Sequence, residues 1–385
     1  MLKAFKYRLY PTKEQVVKIT AQFGCCRYIY NWGLQRKMDS YTVKGENLSC
    51  FNLINELTAL KNEFPWLKDV YSQSLQMSLR HLDNSYTRFF REKKGFPRFK
   101  SRKNPVQSCS YPQGVKFRGS KVFLPKIGPV DIIMHRPFTG ITKTVTLSRS
   151  ASGKYYVSVL VETGDAFPEQ QSFSAETTVG IDVGLRHFAV FSTGEKVEHP
   201  KHLLKAEKKL IRLQKSLSRC CKGSNNKGKR RLKLAIQHEK VTARRRDFLH
   251  KLSKRLISDN QAVAIEKLDV AGMLKNRRLA KQISASGWAE FFTFLDYKAS
   301  WYGKSVIEIG RFDPSSKTCH SCGFVNKHLK LKDRTWTCPR CGKRLDRDGN
   351  AAINIKAFAL LHKNLIVPRD TRELTPEEIA GYGGR

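Results

Sequence analysis

The chain has 385 residues and sets 72 Lys and Arg against 33 Asp and Glu, a formal charge of +39. Hydrophobic residues make up 40% of it, enough to build real cores, which excludes wholesale disorder. A one-signed excess of this size sits badly with an ordinary metabolic enzyme and calls for a polyanionic partner, because each cation set against a phosphate releases condensed counterions. The longest apolar runs are far shorter than a bilayer span, and the opening MLKAFKYRLYPT lacks the apolar stretch of a signal peptide. The expectation is an intracellular protein with nucleic acid, and no membrane, as its partner.

Residues 2–10 alternate as a strand does, and Pro11-Thr12 opens a helical region that runs to about residue 92. Val16, Ile19 and Phe23, then Leu53, Ile54, Leu57 and Leu60, then Leu75, Leu79, Leu82, Tyr86, Phe89 and Phe90 recur at helical spacing and read as core. The basic segment 91–100 (REKKGFPRFK) carries Lys94, Arg98 and Lys100 interleaved with Phe96 and Phe99, which suits a nucleic-acid backbone and stacked bases. Short β-rich runs between 108 and 162, separated by Gly and Pro, predict a small barrel. After a polar link at 163–176, VGIDVGL and HFAVF with the Thr193-Gly194 turn predict consecutive antiparallel strands. Residues 201–257 predict a helical hairpin turning at Gly223–Gly228, with Leu203, Leu210, Leu213 and Leu217 on one arm and Leu249, Leu252 and Leu256 on the other. Its outer faces are basic without matching acids, at Lys229-Arg230-Arg231 and Arg244-Arg245-Arg246, which favours phosphate contact over mere solvation. A buried strand at 262–268, a helix from about Trp288 to Tyr302, a strand at 306–309 and a last helix near Asn350 follow. The tail beyond about residue 365 has no apolar periodicity and reads as disordered.

Ten cysteines in an intracellular chain argue against a disulfide scaffold. Four form two CxxC knuckles, Cys319/Cys322 and Cys338/Cys341, separated by fifteen residues. That spacing lets four thiolates converge on one structural Zn²⁺ in a zinc ribbon, with no open position for substrate. His320, inside the first knuckle, reads as a bystander. Cys25-Cys26 and Cys220-Cys221 read as small apolar packing residues.

In a chain short of acid, carboxylates inside apolar strands stand out: Asp182 in VGIDVGL and Glu266 in AVAIEKL. A buried charge needs a partner or a metal. Asp348, in LDRDGNAA, leads into the last helix, with Asp346 its rival. Singly, Asp182 has the alternative of a turn residue, Glu266 of a lysine's partner, Asp348 of an N-cap. Together, three antiparallel strands, a helical excursion, a central strand and a last helix match an RNase H-like layout in which such acids converge. Their hard oxygens suit Mg²⁺ or Mn²⁺, and two ions about 4 Å apart can activate a water and stabilise a leaving phosphodiester oxygen. His187 reads as a satisfied structural histidine.

These motifs resemble the TnpB family of transposon-encoded, RNA-guided DNA nucleases, compact relatives of type V CRISPR effectors. The likeness runs through YRLYPTKEQ, LQMSLRHLDNSYTRFF, KKGFPRFK, GIDVGLRHFAV, RRDFLHKLS, NRRLA with GWAEFFTFLDYKASWYG, PSSKTCHSCG, TWTCPRCG and DRDGNAAINI. It implies an α+β multidomain fold. Residues 1–10 and 105–170 would form a wedge-like β-barrel and 11–104 a helical recognition domain. Residues 175–313 and 346–365 would form a RuvC-like (RNase H-like) α/β nuclease domain that includes the 201–257 hairpin. The zinc ribbon would be inserted at 314–345, and 366–385 would be a disordered tail. It implies that Asp182, Glu266 and Asp348 are catalytic, and that an RNA from the transposon right end is scaffold and guide. The protein would read a short motif on duplex DNA, with Gln76 touching it, and guide pairing would read the rest. Arg277 and Arg278 fall in the NRRLA motif and join the expected nucleic-acid contacts. One protein chain per RNA is the simplest expectation. Leu345 stands where the family usually has His, and ISAS where it has ISDA; neither change touches a carboxylate or a zinc ligand. Two other readings stay open, a strand-joining transposase using the same acids and a non-catalytic nucleic-acid-binding regulator.

Overall fold

The computed structural model describes residues 1–330 and 332–363, so the expected disorder at 366–385 lies outside the described residues. The chain divides into two compact units, one of Met1–Ala166 with Cys220–Ile236, the other of Phe167–Arg219 with Gln237 onward.

In the first unit, strand β1 (Leu2–Tyr10) leads into helix α1 (Lys13–Lys44) through a capping box. Thr12 Oγ1 accepts from the Gln15 amide, and the Gln15 side chain accepts from the Thr12 amide, satisfying two donors that a helix start leaves orphaned. Helix α2 (Cys50–Glu63) starts the same way, with Ser49 and Asn52. Helix α3 (Ser72–Glu92) ends at Lys93, which itself adopts the left-handed φ of +51°. Then come β2 (Gln107–Tyr111), β3 (Lys116–Arg118), β4 (Lys121–Leu124), β5 (Gly128–Ile133), β6 (Ile141–Arg149) and β7 (Tyr155–Glu162). They and β1 make one antiparallel sheet in the order β2-β6-β7-β1-β5-β4-β3.

One expectation needs correction here. The sheet is a half-barrel rather than a closed barrel: no ladder joins β2 to the three-residue β3 at the far edge. The helices pack directly on this sheet. Leu75, Leu79 and Leu82 of α3 and Ile19, Phe23 and Ile29 of α1 share one hydrophobic cluster with Cys109, Tyr111 and the buried valines 157, 159 and 161. Each such fully buried leucine contributes about 2 kcal/mol. Phe90 departs from the expected core face and is exposed.

In the second unit, β8 (Thr178–Val183), β9 (Ala189–Phe191) and β10 (Lys196–Val197) form an antiparallel meander. Helices α4 (Lys201–Ser218) and α5 (Asn225–Asp259) follow. The turn between them is shorter than expected. Ser224 Oγ accepts from the Lys227 amide at 3.2 Å, starting α5 early enough to absorb Asn225–Gly228. Cys220–Ile236 groups with the first compact unit. At this turn Cys221 is exposed and so is not a packing residue, and Cys220 is half-buried, whereas Cys25 and Cys26 are buried.

Strand β11 (Ala262–Glu266), helices α6 (Val270–Met273), α7 (Ala280–Ser286) and α8 (Trp288–Tyr302), and strand β12 (Ser305–Ile309) come next. A small ribbon of β13 (Thr335–Thr337) and β14 (Arg344–Asp346) runs straight into α9 (Arg347–His362). The main sheet has the order β10-β9-β8-β11-β12, with β8, β11 and β12 parallel. Val179, Ile181, Val263 and Ile265 face α5 and α8, packing on Leu249, Leu252, Leu256, Trp288 and Phe291. The alternate residues Ala262 and Ala264, with Ile307 and Ile309, pack on Ile355, Phe358 and Ala359 of α9. No described helix is long and apolar enough to cross a membrane.

Candidate active site

The alternation that sorts this sheet's faces also sorts its acids. Gly180 and Asp182 share the α9 face of β8; Ala264 and Glu266 share that face of β11. Ile181 pairs in register with Ile265 on parallel strands, so Asp182 and Glu266 stand one step further on, at the ends of neighbouring strands whose backbones run roughly 4.8 Å apart. Gly180 lets α9 reach them, since a Cβ there would collide with the Ala352 carbonyl and Lys356. The carboxyl end of parallel strands beside a strand of opposite sense is where open α/β sheets place ligands.

The beginning of α9 decides between Asp346 and Asp348. Asp346 is the N-cap: its side chain accepts from the Gly349 amide at 2.9 Å and from Lys196 Nζ at 2.8 Å. Burial pushes its carboxyl up, but these partners win and hold it below the usual range. Asp348 lies in the first helical turn, free of the capping role. Arg334 Nη1 approaches it at 3.8 Å.

The three sequence-predicted acids act on one another. The Asp182 carboxyl is held well above the usual range, first by burial, then by Asp348 and Glu266, with Arg347 pulling the other way and Asp346 adding to the rise. Part of Asp182 stays open to solvent although protein surrounds its carboxyl densely. Glu266 is raised by burial and then by Asp313. Such mutual repulsion among hard oxygen donors is what a divalent cation relieves, and the donor set suits Mg²⁺ or Mn²⁺.

The four cysteine sulfurs lie within 4.8 Å of one another, a grouping that the carboxylates of Asp182, Glu266 and Asp348 do not share. Cys319 Sγ is 3.7 Å from Cys341 Sγ, and Cys322 Sγ is 3.5 Å from Cys338 Sγ. Tetrahedral zinc with Zn–S bonds of about 2.3 Å needs sulfurs about 3.8 Å apart, so the cluster can take a structural Zn²⁺. The Lys343 backbone amide and the other thiols lower Cys341 to about 7, while burial pushes Cys319 up and Cys322 to about 12, so that a bound metal would have to draw off their protons. Trp336 and Leu345, opposite each other on β13 and β14, close the ribbon's small core, so Leu345 serves packing.

The expected nucleic-acid contacts scatter over both units. Gln76 is half-buried on α3; Lys94 and Arg98 are exposed in the loop after it. Lys100 is exposed by area, yet its ammonium sits 3.9 Å over the Tyr30 ring, and its backbone pairs with Asn31. Phe96 packs edge-on against Tyr86 and Phe89, while Phe99 is exposed. Arg230 and Arg231 are exposed on α5, and Arg277 and Arg278 after α6. Arg245 is half-buried and donates to the Ser284 carbonyl at 3.2 Å, a structural tie. His187 pairs with Glu198 at 2.7 Å, away from the acids' roles.

Sequence reasoning missed Asp313. It follows β12, accepts from the Gly310 amide at 2.8 Å, lies 3.8 Å from His362 and repels Glu266. The one hint was a carboxylate shortly after a parallel strand.

A family model described as a probable transposase (OrfB of IS605) matches residues 157–277. Another, described as a Cas12f1-like TNB domain, matches 288–355. A third, described as a helix-turn-helix domain, matches 1–46, which fold here as β1 and α1. A Streptomyces pristinaespiralis protein, named as a candidate RNA-guided DNA endonuclease, is 41% identical over 364 residues, 93% of this chain and 89% of its own. InsQ of Escherichia coli K12, named in the same way, is 34% identical over 375 residues, 92% of each chain. A Cas12f1 chain, solved with its guide RNA and target DNA, shares the fold with a TM-score of 0.57 at 14% identity, over 92% of this chain and 98% of that one. Likeness of this degree over nearly the full length of both relatives means that the chain belongs to the TnpB (IS605 OrfB) family.

Proposed function

We propose that the protein is an RNA-guided endonuclease that cuts double-stranded DNA beside a short target-adjacent motif. Its guide and scaffold would be one RNA from the right end of a transposon, bound by one protein chain inside the cell. The relatives' names point to this activity, and the +39 charge supplies the polyanion affinity that both nucleic acids require. The observation that carries the reading is the placement of Asp182 and Glu266 at neighbouring ends of parallel strands, with the Asp182 carboxyl pushed up by burial and by Asp348 and Glu266. The strand order β10-β9-β8-β11-β12 supports a RuvC-like nuclease fold around it.

In this reading Asp182 and Glu266 offer oxygens from two adjacent strand ends, and Asp348 closes the set from α9. Mg²⁺ or Mn²⁺ held there, as a pair of ions, would supply a water nucleophile at neutral pH and charge compensation for the leaving oxygen. Asp346 keeps α9 capped and its first turn in place, so that Asp348 is presented without being spent on the cap. The four cysteines hold one Zn²⁺ away from the chemistry. Gln76 would touch the motif duplex, and Lys94, Arg98, Lys100, Arg230, Arg231, Arg277 and Arg278 would meet phosphates.

The test is to sequence the RNA that copurifies with the protein, redirect its guide, and challenge plasmids with the complex and Mg²⁺. Breaks that follow the guide, and vanish in Asp182→Ala while RNA stays bound, support the reading; cutting unaltered by that substitution contradicts it. The family model's description as a probable transposase favours a second reading, strand joining by the same acids. Covalently joined products in the same assay would establish it.

A further inference from the structure

One polar network in the second unit is not used by the carboxylate chemistry. Asn350 and Asn354 stand one turn apart on α9, each 2% exposed. Both reach the loop that enters the first cysteine knuckle. Asn354 Nδ2 donates to the carbonyls of Ser315 at 2.7 Å and Thr318 at 2.6 Å. Asn350 Nδ2 donates to the Thr318 carbonyl at 2.7 Å. Asn350 Oδ1 accepts twice from His320, from its backbone N–H and from ring Nδ1, each at 3.0 Å. The other ring nitrogen, Nε2, accepts from Lys343 Nζ at 3.1 Å, and the Lys343 carbonyl accepts from the Cys338 amide at 2.9 Å.

His320 belongs to the first knuckle and Lys343 follows the second, so both halves of the cysteine cluster converge on one buried amide. Its neighbours fix the imidazole as the neutral Nδ1–H tautomer, because an amide oxygen can only accept and an ammonium can only donate. A buried amide paired on both sides specifies one arrangement, since losing Asn350 strands the His320 N–H groups it serves. The hub lies two residues after Asp348. The same stretch is tied again where the Arg347 amide donates to the Arg334 carbonyl at 2.8 Å.

We infer that Asn350 and Asn354 are positioning residues that carry the geometry of the zinc knuckles to Asp348. The metal-held ribbon thus sets the pose of a nuclease carboxylate besides stabilising itself. The inference rests on the nuclease reading of Asp348 and is tested so that the two can fail separately.

The experiment compares Asn350→Ala and Asn354→Ala with Leu57→Ala, a core-weakening control in the first unit, all as protein–RNA complexes. Zinc content, target-DNA binding, amide hydrogen exchange over residues 347–352 and the Mg²⁺ dependence of cutting are measured. Each asparagine variant is expected to keep one zinc and normal target binding. Exchange over 347–352 should quicken by roughly tenfold, and cutting should slow by about 100-fold, with the half-saturating Mg²⁺ concentration raised. The control should move neither local exchange nor the Mg²⁺ requirement. Wild-type exchange and Mg²⁺ dependence in both asparagine variants would overturn the inference, as would an equal shift in the control. If the variants do not fold, stripping zinc from the wild-type complex decides: protection of 347–352 must fall, and its persistence overturns the coupling. Normal cutting by Asp182→Ala would instead sink the nuclease reading, while the exchange result would still report on the coupling between zinc and helix.

Discussion

Asp182 sits where two demands conflict, since burial favours the protonated acid and ion binding needs the carboxylate. Its proton affinity is raised in the folded chain, so the metal-free native state holds that proton more tightly than the unfolded one does. Stability from this source is therefore intact below the unfolded value of about 3.9 and is lost as pH climbs from there through the raised native value. In metal-free protein, melting temperature should fall more between pH 4 and pH 8 for the wild type than for Asp182→Asn. Added Mg²⁺ should restore it only in the wild type. Equal pH profiles would show that the carboxyl carries no such burden. At Gly180 the issue is space: Gly180→Ala pushes α9 off β8 and should cost about 1–3 kcal/mol in denaturant unfolding, with cutting impaired. An unchanged midpoint would mean that α9 has room the packing denies it.

At the scale of elements, α8 is anchored to α5 by a buried lysine. Lys298 Nζ donates to the His250 carbonyl and to Ser253 Oγ, both at 2.7 Å, and burial lowers its ammonium to about 8. The native state gives up this proton more readily than the unfolded chain, so keeping it charged costs stability below about pH 8. Stability should rise as pH increases from there toward the ordinary lysine value of about 10.4. That rise, followed by thermal unfolding from pH 7 to 10, should disappear in Lys298→Met. Elements of this kind were readable one by one. The helix Trp288–Tyr302 has its ends marked by Gly287 and Gly303, and the CxxC spacing names the knuckles without help. The acids showed because each interrupts an apolar strand. The open half-barrel edge, the early start of α5 and the hub at Asn350 did not show. Each depends on a partner distant in sequence or on a single side-chain hydrogen bond, which leaves no periodic trace.

Over the whole molecule, the excess of positive charge is spread across both units, so no single residue should dominate RNA affinity. Replacing Arg230 and Arg231 together with Ala should weaken RNA binding modestly. It should also flatten the log–log salt dependence by about 1.4, the release of two counterions from a single-stranded partner. A slope unchanged within error would remove these two from the phosphate contacts. Arg245, already engaged with Ser284, should contribute less to that slope than either. Topology, by contrast, concentrates the chemistry: β8, β11 and α9 come from three separate stretches of chain yet end side by side. Anomalous diffraction from crystals of the RNA complex grown with Mn²⁺ addresses that convergence most directly. Manganese peaks bounded by the carboxylates of Asp182, Glu266 and Asp348, and lost in Asp182→Ala, are the predicted result. Peaks absent from that corner, in crystals of a complex that still cuts DNA, would contradict it.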